Sequence, residues 1–291
     1  MILQELKKYY KSKINIVLII IWTVLTIGSY YSSYLQKMKW VDVFNSGAKD
    51  VNLDMVAGII SSYTNMQYFK EFIFSTTFFL GFWIISLIGF GVALGSSVHD
   101  DLNSNYGTMI ITRITYKKYL KNVLIARFIY ITTLVLAFFI VVVAFTILLG
   151  NGEILVPVDN LIKTHNIGSY LFSAFLLILH MIIYTSVLIL LSTVSNVFIR
   201  NRYLIQMLPF VMIVGTYILS STVANFSDFF ANLSYYIVIE SIISGFRNFC
   251  LSADSSLRDL LIGISFILVS LSVFIVVYII NKKKFSKDYL L

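Results

Sequence analysis

The amino-acid sequence predicts an all-α integral membrane protein with six transmembrane helices. Hydrophobic residues make up 58% of its 291 residues and charged residues only 12%, against roughly 45–50% and about 25% in soluble domains. Six apolar stretches are long enough to cross about 30 Å of hydrocarbon as helices, which satisfy their own backbone hydrogen bonds. The predicted spans are residues 14–35, 72–98, 123–149, 169–194, 204–223 and 260–281.

The spans belong to a single transmembrane domain that covers residues 1–291. The longest segments between spans, 36–71 and 224–259, contain further apolar residues and are too short for a separate soluble domain. No change of composition marks a linker, and we find no internal repeat.

The distribution of Lys and Arg predicts the orientation in the membrane. The net charge is +8, and 15 of the 22 basic residues fall on the side that holds both ends of a six-span chain. Only four of the 14 acidic residues lie on that side. Because cytoplasmic loops retain positive charge, both termini are predicted to be cytoplasmic. The basic charge therefore indicates topology and contact with membrane lipids, and we expect no nucleic-acid partner.

Residues 1–13 are predicted to form an interfacial helix. Leu3, Leu6 and Tyr10 share one helical stripe, and the charged residues lie largely on the other side. Such a helix lies in the membrane plane with its apolar side among acyl chains. The alternative is a basic flank that only sets the topology.

The segment 99–122 is the most informative polar part of the sequence. It begins with Asp100 and Asp101, and a helical pattern then places Arg113, Lys117 and Lys121 at positions i, i+4 and i+8. That spacing puts three cations on one helix face. The face either presents charge to a cytoplasmic partner or anchors the helix at lipid headgroups.

This segment resembles the cytoplasmic loop of type-2 ABC transporter permeases. The likeness lies in the order of an acidic start, the pair Gly107–Thr108, an apolar run, Arg113 and a segment rich in Tyr and Lys. In that exporter family the loop contains a coupling helix that docks on a separate ATP-hydrolysing subunit. The resemblance implies that the following residues couple the chain to an ATPase: Asp100, Asp101, Gly107, Thr108, Arg113, Lys117 and Lys121.

The family pattern is not matched throughout. The family often has a glutamate two residues before the glycine, where this chain has Asn105, so Asp100 and Asp101 are the acidic candidates. The outer segment 224–259 resembles the family's short helices that dip back into the membrane. It includes Glu240, although the family's proline before the tyrosine is missing. We expect a re-entrant helical hairpin here, with an exposed surface helix as the alternative.

Polar and small residues inside the predicted spans are candidates for a pathway or for packing. Ionisable groups are costly at this depth, and His180 either contacts cargo or relays a proton, or is a neutral side chain bonded to a nearby hydroxyl. Gly91 and Gly95 form a small-xxx-small pair that allows close helix approach. Pro209 lacks a backbone donor and can bend the fifth span beside Gln206.

The sequence contains no motif for catalysis on this chain. A G-x-x-x-x-G-K-[ST] loop is absent, and the three histidines and one cysteine have no metal-ligand spacing. We therefore expect no enzyme activity, no metal site and no cofactor on this chain, with ATP and Mg²⁺ bound by the partner subunit.

The resemblance implies a permease subunit of an ATP-driven ABC exporter in a bacterial cell membrane. Its expected partners are an ABC ATPase subunit and a second permease subunit, identical or different. Apolar, aromatic walls suggest an amphipathic or hydrophobic cargo such as an antimicrobial peptide (export or immunity), a lipid-like molecule or a drug. The alternatives are an ATP-independent secondary transporter or channel and, less well supported by the dispersed reactive residues, an intramembrane enzyme.

Overall fold

The structure is a computed structural model. It describes residues 1–47, 52–63, 68–69, 72–73, 76–102, 115–149, 167–223, 227, 232, 236, 238–251 and 256–288. All regular secondary structure in this part of the chain is helical. The helices are α1 (Ile2–Tyr10), α2 (Ile14–Ser46), α3 (Leu53–Ser62), α4 (Thr76–Leu94), α5 (Ser97–Leu102), α6 (Tyr116–Leu149), α7 (Ile167–Val194), α8 (Arg202–Val223), α9 (Ile239–Leu251) and α10 (Leu257–Asp288).

Five helical stretches are long and apolar enough to cross a membrane, as in a multi-pass membrane protein. They are Ile14–Ser46, Thr77–Leu102, Tyr116–Ile147, Leu171–Val194 and Leu257–Lys284. They correspond to the predicted first, second, third, fourth and sixth spans. The predicted fifth span lies in α8, whose described apolar part, Arg202–Ile218, is shorter than the other five.

Several helices extend beyond the predicted spans, because a helix does not stop where its apolar stretch stops. The first span was expected to end at residue 35, but α2 continues to Ser46 and is followed by Gly47 with a φ of 60°. At 1.5 Å per residue, its 33 residues span about 50 Å. Likewise α6 starts at Tyr116 and not at residue 123, and α10 continues beyond 281. Residues 36–46 contain neither Gly nor Pro, so nothing breaks the helix there.

Contacts between helices show their relative directions. Leu18 lies against Gly89, and Gly28 lies near Phe78, so α2 and α4 run antiparallel. By contrast, α2 and α6 run parallel, because the Asn15 side chain contacts Tyr130 and the Tyr30 hydroxyl contacts Thr146.

The same reasoning brings the basic ends of the helices together. His180 on α7 contacts Gly263 of α10, and Val194 contacts Asn281 further along both helices, so this pair is parallel. Met1 contacts Asn122. We call this end of the bundle, which holds residues 1–13, 97–102, 116–121, 195–202 and 281–284, the basic pole.

The core between α2, α4 and α6 is aromatic. Trp22 is fully buried, with its ring centroid 4.8 Å from that of Phe82 and 5.1 Å from that of Phe138. Trp83 of α4 donates from Nε1 to the Thr185 hydroxyl of α7 over 2.9 Å, which satisfies both polar groups away from water. These rings fix the spacing of the helices.

The predicted small-residue pair packs α4 tightly against α8. A Cβ added to Gly95 would lie 2.9 Å from the Cα of Gln206 and 3.1 Å from the Ile205 carbonyl oxygen. A Cβ on Gly91 would overlap the Gln206 carbonyl oxygen and lie 3.8 Å from Pro209 Cδ. The two glycines therefore let the helix backbones meet without side chains between them.

We predict that Gly91→Ala lowers the stability of the folded protein, because its methyl group must push α8 away. Overpacking of this kind costs typically about 1–3 kcal/mol. Gly215→Ala is the matched control on α8, since an added Cβ there meets no atom within 4 Å. Thermal unfolding in mild detergent checks this: Gly91→Ala should melt below the wild type and Gly215→Ala should not. Equal melting temperatures for the two variants would contradict the close approach.

Candidate functional site

Asp101 joins three segments at the basic pole. Its carboxylate is buried on α5, where Oδ1 accepts from Lys8 Nζ of α1 over 3.2 Å and Oδ2 accepts from the Tyr119 hydroxyl of α6 over 2.8 Å. Hydrogen bonds to an ionised group are the stronger kind, and a buried charge without them is costly. Asp101 therefore fixes the two described ends of the segment 99–122 to each other and to α1.

The ion pair at Asp101 favours a charged Lys8. Partial burial lowers the pKa of the Lys8 ammonium, but the carboxylates of Asp101 and Glu5 more than offset this effect. The pKa of Lys8 therefore lies above its ordinary value, and the side chain stays protonated at neutral pH. Lys8 is half exposed, so the pair lies at the edge of the buried cluster.

Arg127 forms a second junction beside the first. Its guanidinium on α6 is fully buried. It donates to Ser97 at the start of α5, to Thr193 near the end of α7 and, over 3.5 Å, to the Tyr9 hydroxyl of α1. The planar group presents several donors in a fixed geometry, which suits it to bridge several helices. One side chain thus connects α1, α5, α6 and α7.

A third polar contact includes α10 in the same pole. The Tyr116 hydroxyl at the start of α6 donates to Asn281 Oδ1 over 2.6 Å. The Asn281 amide nitrogen lies 2.7 Å from the Val194 carbonyl and 2.6 Å from Asn196 Oδ1. The ends of α6, α7 and α10 are therefore held together by buried polar groups.

The predicted coupling residues divide into buried, exposed and undescribed positions. Asp101 is buried in the internal contacts above, whereas Asp100 is half-buried and accepts from the Ser96 hydroxyl over 2.9 Å. Lys117 and Lys121 are exposed on α6. Gly107, Thr108 and Arg113 lie outside the described residues. Of the predicted set, only these two lysines are described with side chains directed to solvent.

The N-terminal helix packs on the bundle with only part of its predicted apolar stripe. Leu3 is 79% exposed, and Leu6 packs against the core. Glu5 and Tyr9 are also buried, because α6 offers polar and aromatic partners to α1. The ring centroid of Tyr9 lies 5.6 Å from that of Tyr130, and α1 is a docked helix whose outer side is available to lipid.

Gln206 and Pro209 both lie in the contact with α4. The Gln206 amide nitrogen donates to the Ser96 hydroxyl over 2.9 Å, and Ser96 in turn donates to Asp100. Pro209 has no N–H to offer the Ile205 carbonyl. The structure therefore brings Gly91, Gly95, Gln206 and Pro209 together in one helix contact.

His180 lies in an aromatic environment within the bundle. Its ring stacks on Phe246, with centroids 4.1 Å apart, and meets Trp83 edge-on at 5.7 Å. Nε2 donates to the Gly263 carbonyl over 2.8 Å. The partner is thus a backbone oxygen and not the hydroxyl that we expected. These contacts support the packing alternative for His180, because its ring stacks on residues of this chain and its Nε2 has a hydrogen-bond partner within the chain.

The outer segment is described in part. The backbone at Glu240 lies in α9, which packs along the start of α10. Gly245 and Gly263 permit this contact: a Cβ on Gly245 would lie 2.9 Å from Ile262 Cγ2. Most of residues 224–237 lie outside the described part, and the described remainder of the segment is α9 and the beginning of α10. The re-entrant hairpin stays a prediction.

Two apolar cavities open between the helices. One, of about 330 Å³, lies between α6 and α7 and is lined by residues such as Phe139, Ile140 and Phe175. The other, of about 270 Å³, lies between α2 and α6 beside Tyr30 and Phe138. Neither lining contains an Asp, Glu, Lys, Arg or His side chain. Among the described residues no group of His, Cys, Asp and Glu is arranged to hold a metal ion.

Sequence reasoning missed Arg127 and Tyr119 as site residues. A signal existed for Arg127, because it lies four residues inside the predicted span 123–149, and a charge inside a span is a functional candidate. The charge distribution alone assigns it to the basic residues that set the topology. Tyr119 carried no comparable signal, since its role depends on a carboxylate 18 residues away.

Comparison with known proteins adds no further assignment. No protein-family model, curated protein or solved structure matches the chain.

We predict that Tyr119→Phe destabilises the protein by about 1–3 kcal/mol, because it removes a donor from the buried Asp101 carboxylate. Tyr203→Phe is the matched control, as Tyr203 is 69% exposed. Unfolding in mixed detergent should show a loss for the first variant only. In an Asp101→Asn background the effect of Tyr119→Phe should shrink, and an unchanged effect would show that the hydroxyl acts elsewhere.

We predict that His180→Phe remains folded, because phenylalanine retains the stacking on Phe246 and loses one hydrogen bond worth about 0.5–1.5 kcal/mol. Expression and melting temperature should be measured beside those of His180→Ala, which loses the stacking as well. A melting temperature of His180→Phe as low as that of His180→Ala would contradict the packing role.

Proposed function

We propose that the chain is the membrane-spanning permease subunit of an ATP-driven ABC exporter. It has six spans with both termini in the bacterial cytoplasm, and α8 is the fifth of these spans. Two observations support α8 as a membrane span. It packs antiparallel against α4, and its 22 residues form about 33 Å of helix. The charge distribution in the sequence supports the orientation.

The arrangement at the basic pole carries this proposal. The two described ends of the segment 99–122 lie against each other, because Asp101 of α5 accepts a hydrogen bond from the Tyr119 hydroxyl near the start of α6. Lys117 and Lys121 remain exposed beside this junction. A partner that binds the exposed lysines would thereby act on the ends of two long helices at once. A coupling segment between an ATPase and a transport pathway requires this kind of connection.

ATP-driven closure of the partner would act as a population shift between two arrangements of the bundle. A partner can shift the equilibrium only by the difference in its affinity for the two states. The buried contacts of Asp101 and Arg127 make the basic pole a unit that moves as one body. In this proposal a second permease subunit, identical or different, completes the pathway.

The cargo in this proposal is amphipathic or hydrophobic. The described cavities are lined by apolar and aromatic side chains, and no carboxylate or ammonium group lines them. Such walls suit a peptide with an apolar face, a lipid-like molecule or an apolar drug better than a small ion. ATP and Mg²⁺ belong to the partner subunit.

The proposal predicts that Lys117→Glu/Lys121→Glu weakens capture of the ATPase about tenfold or more, which corresponds to about 1.4 kcal/mol. Lys37→Glu/Lys39→Glu is the matched control, because it makes the same charge change on the outer part of α2. The tagged full-length chain is purified from its own host in mild detergent, and the amount of co-purified ATPase and its ATP hydrolysis are measured.

Either of two results would overturn the proposal. One is an unchanged amount of ATPase in the Lys117→Glu/Lys121→Glu variant, which would remove the docking role from this face. The other is full cargo transport by the chain alone in liposomes without ATP, which would assign it to the secondary carriers.

A further inference from the structure

We propose that the turn between α7 and α8 forms a binding surface for the headgroups of anionic phospholipids. We call this surface the headgroup patch. It consists of Phe198, Arg200, Arg202, Tyr203 and Leu204, together with Lys282 and Lys283 at the end of α10. The inference does not depend on the source of energy for transport, and its test uses neither ATP nor a protein partner.

The two arginines of the patch are not neutralised by any carboxylate in the described part of the chain. Arg200 and Arg202 are exposed, and no carboxylate within the described residues forms an ion pair with either. The Arg202 guanidinium carbon lies 5.8 Å from the centroid of the Tyr203 ring. A guanidinium held over a ring still has N–H groups at its edge, which match the geometry of phosphate oxygens.

The end of α10 adds charge beside the turn. The Asn281 amide nitrogen contacts the Val194 carbonyl and Asn196 Oδ1, at the start of the α7–α8 turn. Lys282 and Lys283 are the next two residues of α10, so they add positive charge beside the turn, while helix geometry turns their side chains about 100° and 200° away from that of Asn281. Lys283 is exposed and Lys282 is half-buried. Two sequence-distant basic segments thus converge at one part of the basic pole.

Exposed apolar side chains decide between a lipid and a soluble acidic partner. Phe198 is 60% exposed, Tyr203 69% and Leu204 57%, and along the chain they flank the two arginines on both sides. Further along α8, Val211 is also exposed, so the apolar surface continues from the turn along the helix. Aromatic residues at helix ends next to Lys and Arg are typical of the membrane–water interface. An anionic lipid satisfies both halves of the patch, with its phosphate at the arginines and its acyl chains along α8.

The test titrates the detergent-solubilised full-length chain with short-chain phosphatidylglycerol or phosphatidylcholine and counts bound lipids by native mass spectrometry. One basic residue near an anionic surface contributes about fivefold in affinity. Arg200→Gln/Arg202→Gln should therefore weaken phosphatidylglycerol binding by roughly 25-fold and phosphatidylcholine binding much less, because the choline ammonium offsets the charge of its phosphate. Lys37→Gln/Lys39→Gln removes the same charge from the outer part of α2 and should have no comparable effect.

Further variants and a competition experiment distinguish a bound lipid from a free anion and from a non-specific effect of net charge. Arg200→Lys/Arg202→Lys keeps the charge but not the planar guanidinium, and it should retain more phosphatidylglycerol binding than Arg200→Gln/Arg202→Gln, which separates the part of the charge from that of the guanidinium geometry. Phe198→Ser should weaken binding of both lipids. Equal weakening by the Lys37→Gln/Lys39→Gln control would overturn the proposal, because the effect would then follow net charge and not the patch. Displacement of the lipid by an equal concentration of inorganic phosphate would also overturn it, since the site would then bind a free anion.

Discussion

The burial of the Arg127 guanidinium is the constraint on which the arrangement of this bundle depends. A charge in an apolar interior is tolerated only when its hydrogen bonds are satisfied, and its partners must then stay in place. Here the partners come from α1, α5 and α7. Separating α1, α5, α6 and α7 would leave the buried guanidinium without hydrogen-bond partners, and the free-energy cost of that state holds the four helices together.

Asp101 complements Arg127 with the opposite charge in the same region. It holds α1 through Lys8 and α6 through Tyr119, so the two junctions share three of their helices. Elsewhere the bundle is held by apolar and aromatic packing around Trp22 and by the close approach of α4 and α8. Polar contacts specify a unique geometry, whereas apolar helix surfaces in lipid slide more readily past each other. The basic pole is accordingly the part of the molecule best suited to pass on a displacement without losing its internal geometry.

The sequence allowed the helical class, five of the long helices and the Gly91–Gly95 contact to be predicted, because each depends on local pattern. Helix ends were less predictable: residues 36–46 extend α2 although they mix polar and apolar residues, since helix continuation needs only the absence of a breaker. The polar junctions were not predictable in detail. Lys8 and Asp101 are 93 residues apart, and the pairing of Arg127 with Thr193 spans 66. Spacing along the chain carries no information about such pairs, although the presence of Arg127 inside an apolar run marked it as exceptional.

The most direct test of this account is the accessibility of a cysteine beside the Arg127 junction. Ser192 is fully buried on α7, so Ser192→Cys in a Cys250→Ser background reports whether water-soluble maleimide reaches this depth, and Tyr203→Cys serves as the exposed control. The account predicts that the Ser192→Cys site is protected while Arg127 is present and becomes labelled in Arg127→Leu, with Tyr203→Cys labelled in both backgrounds. Labelling of the Ser192→Cys site with Arg127 intact, or protection that persists in Arg127→Leu, would contradict it.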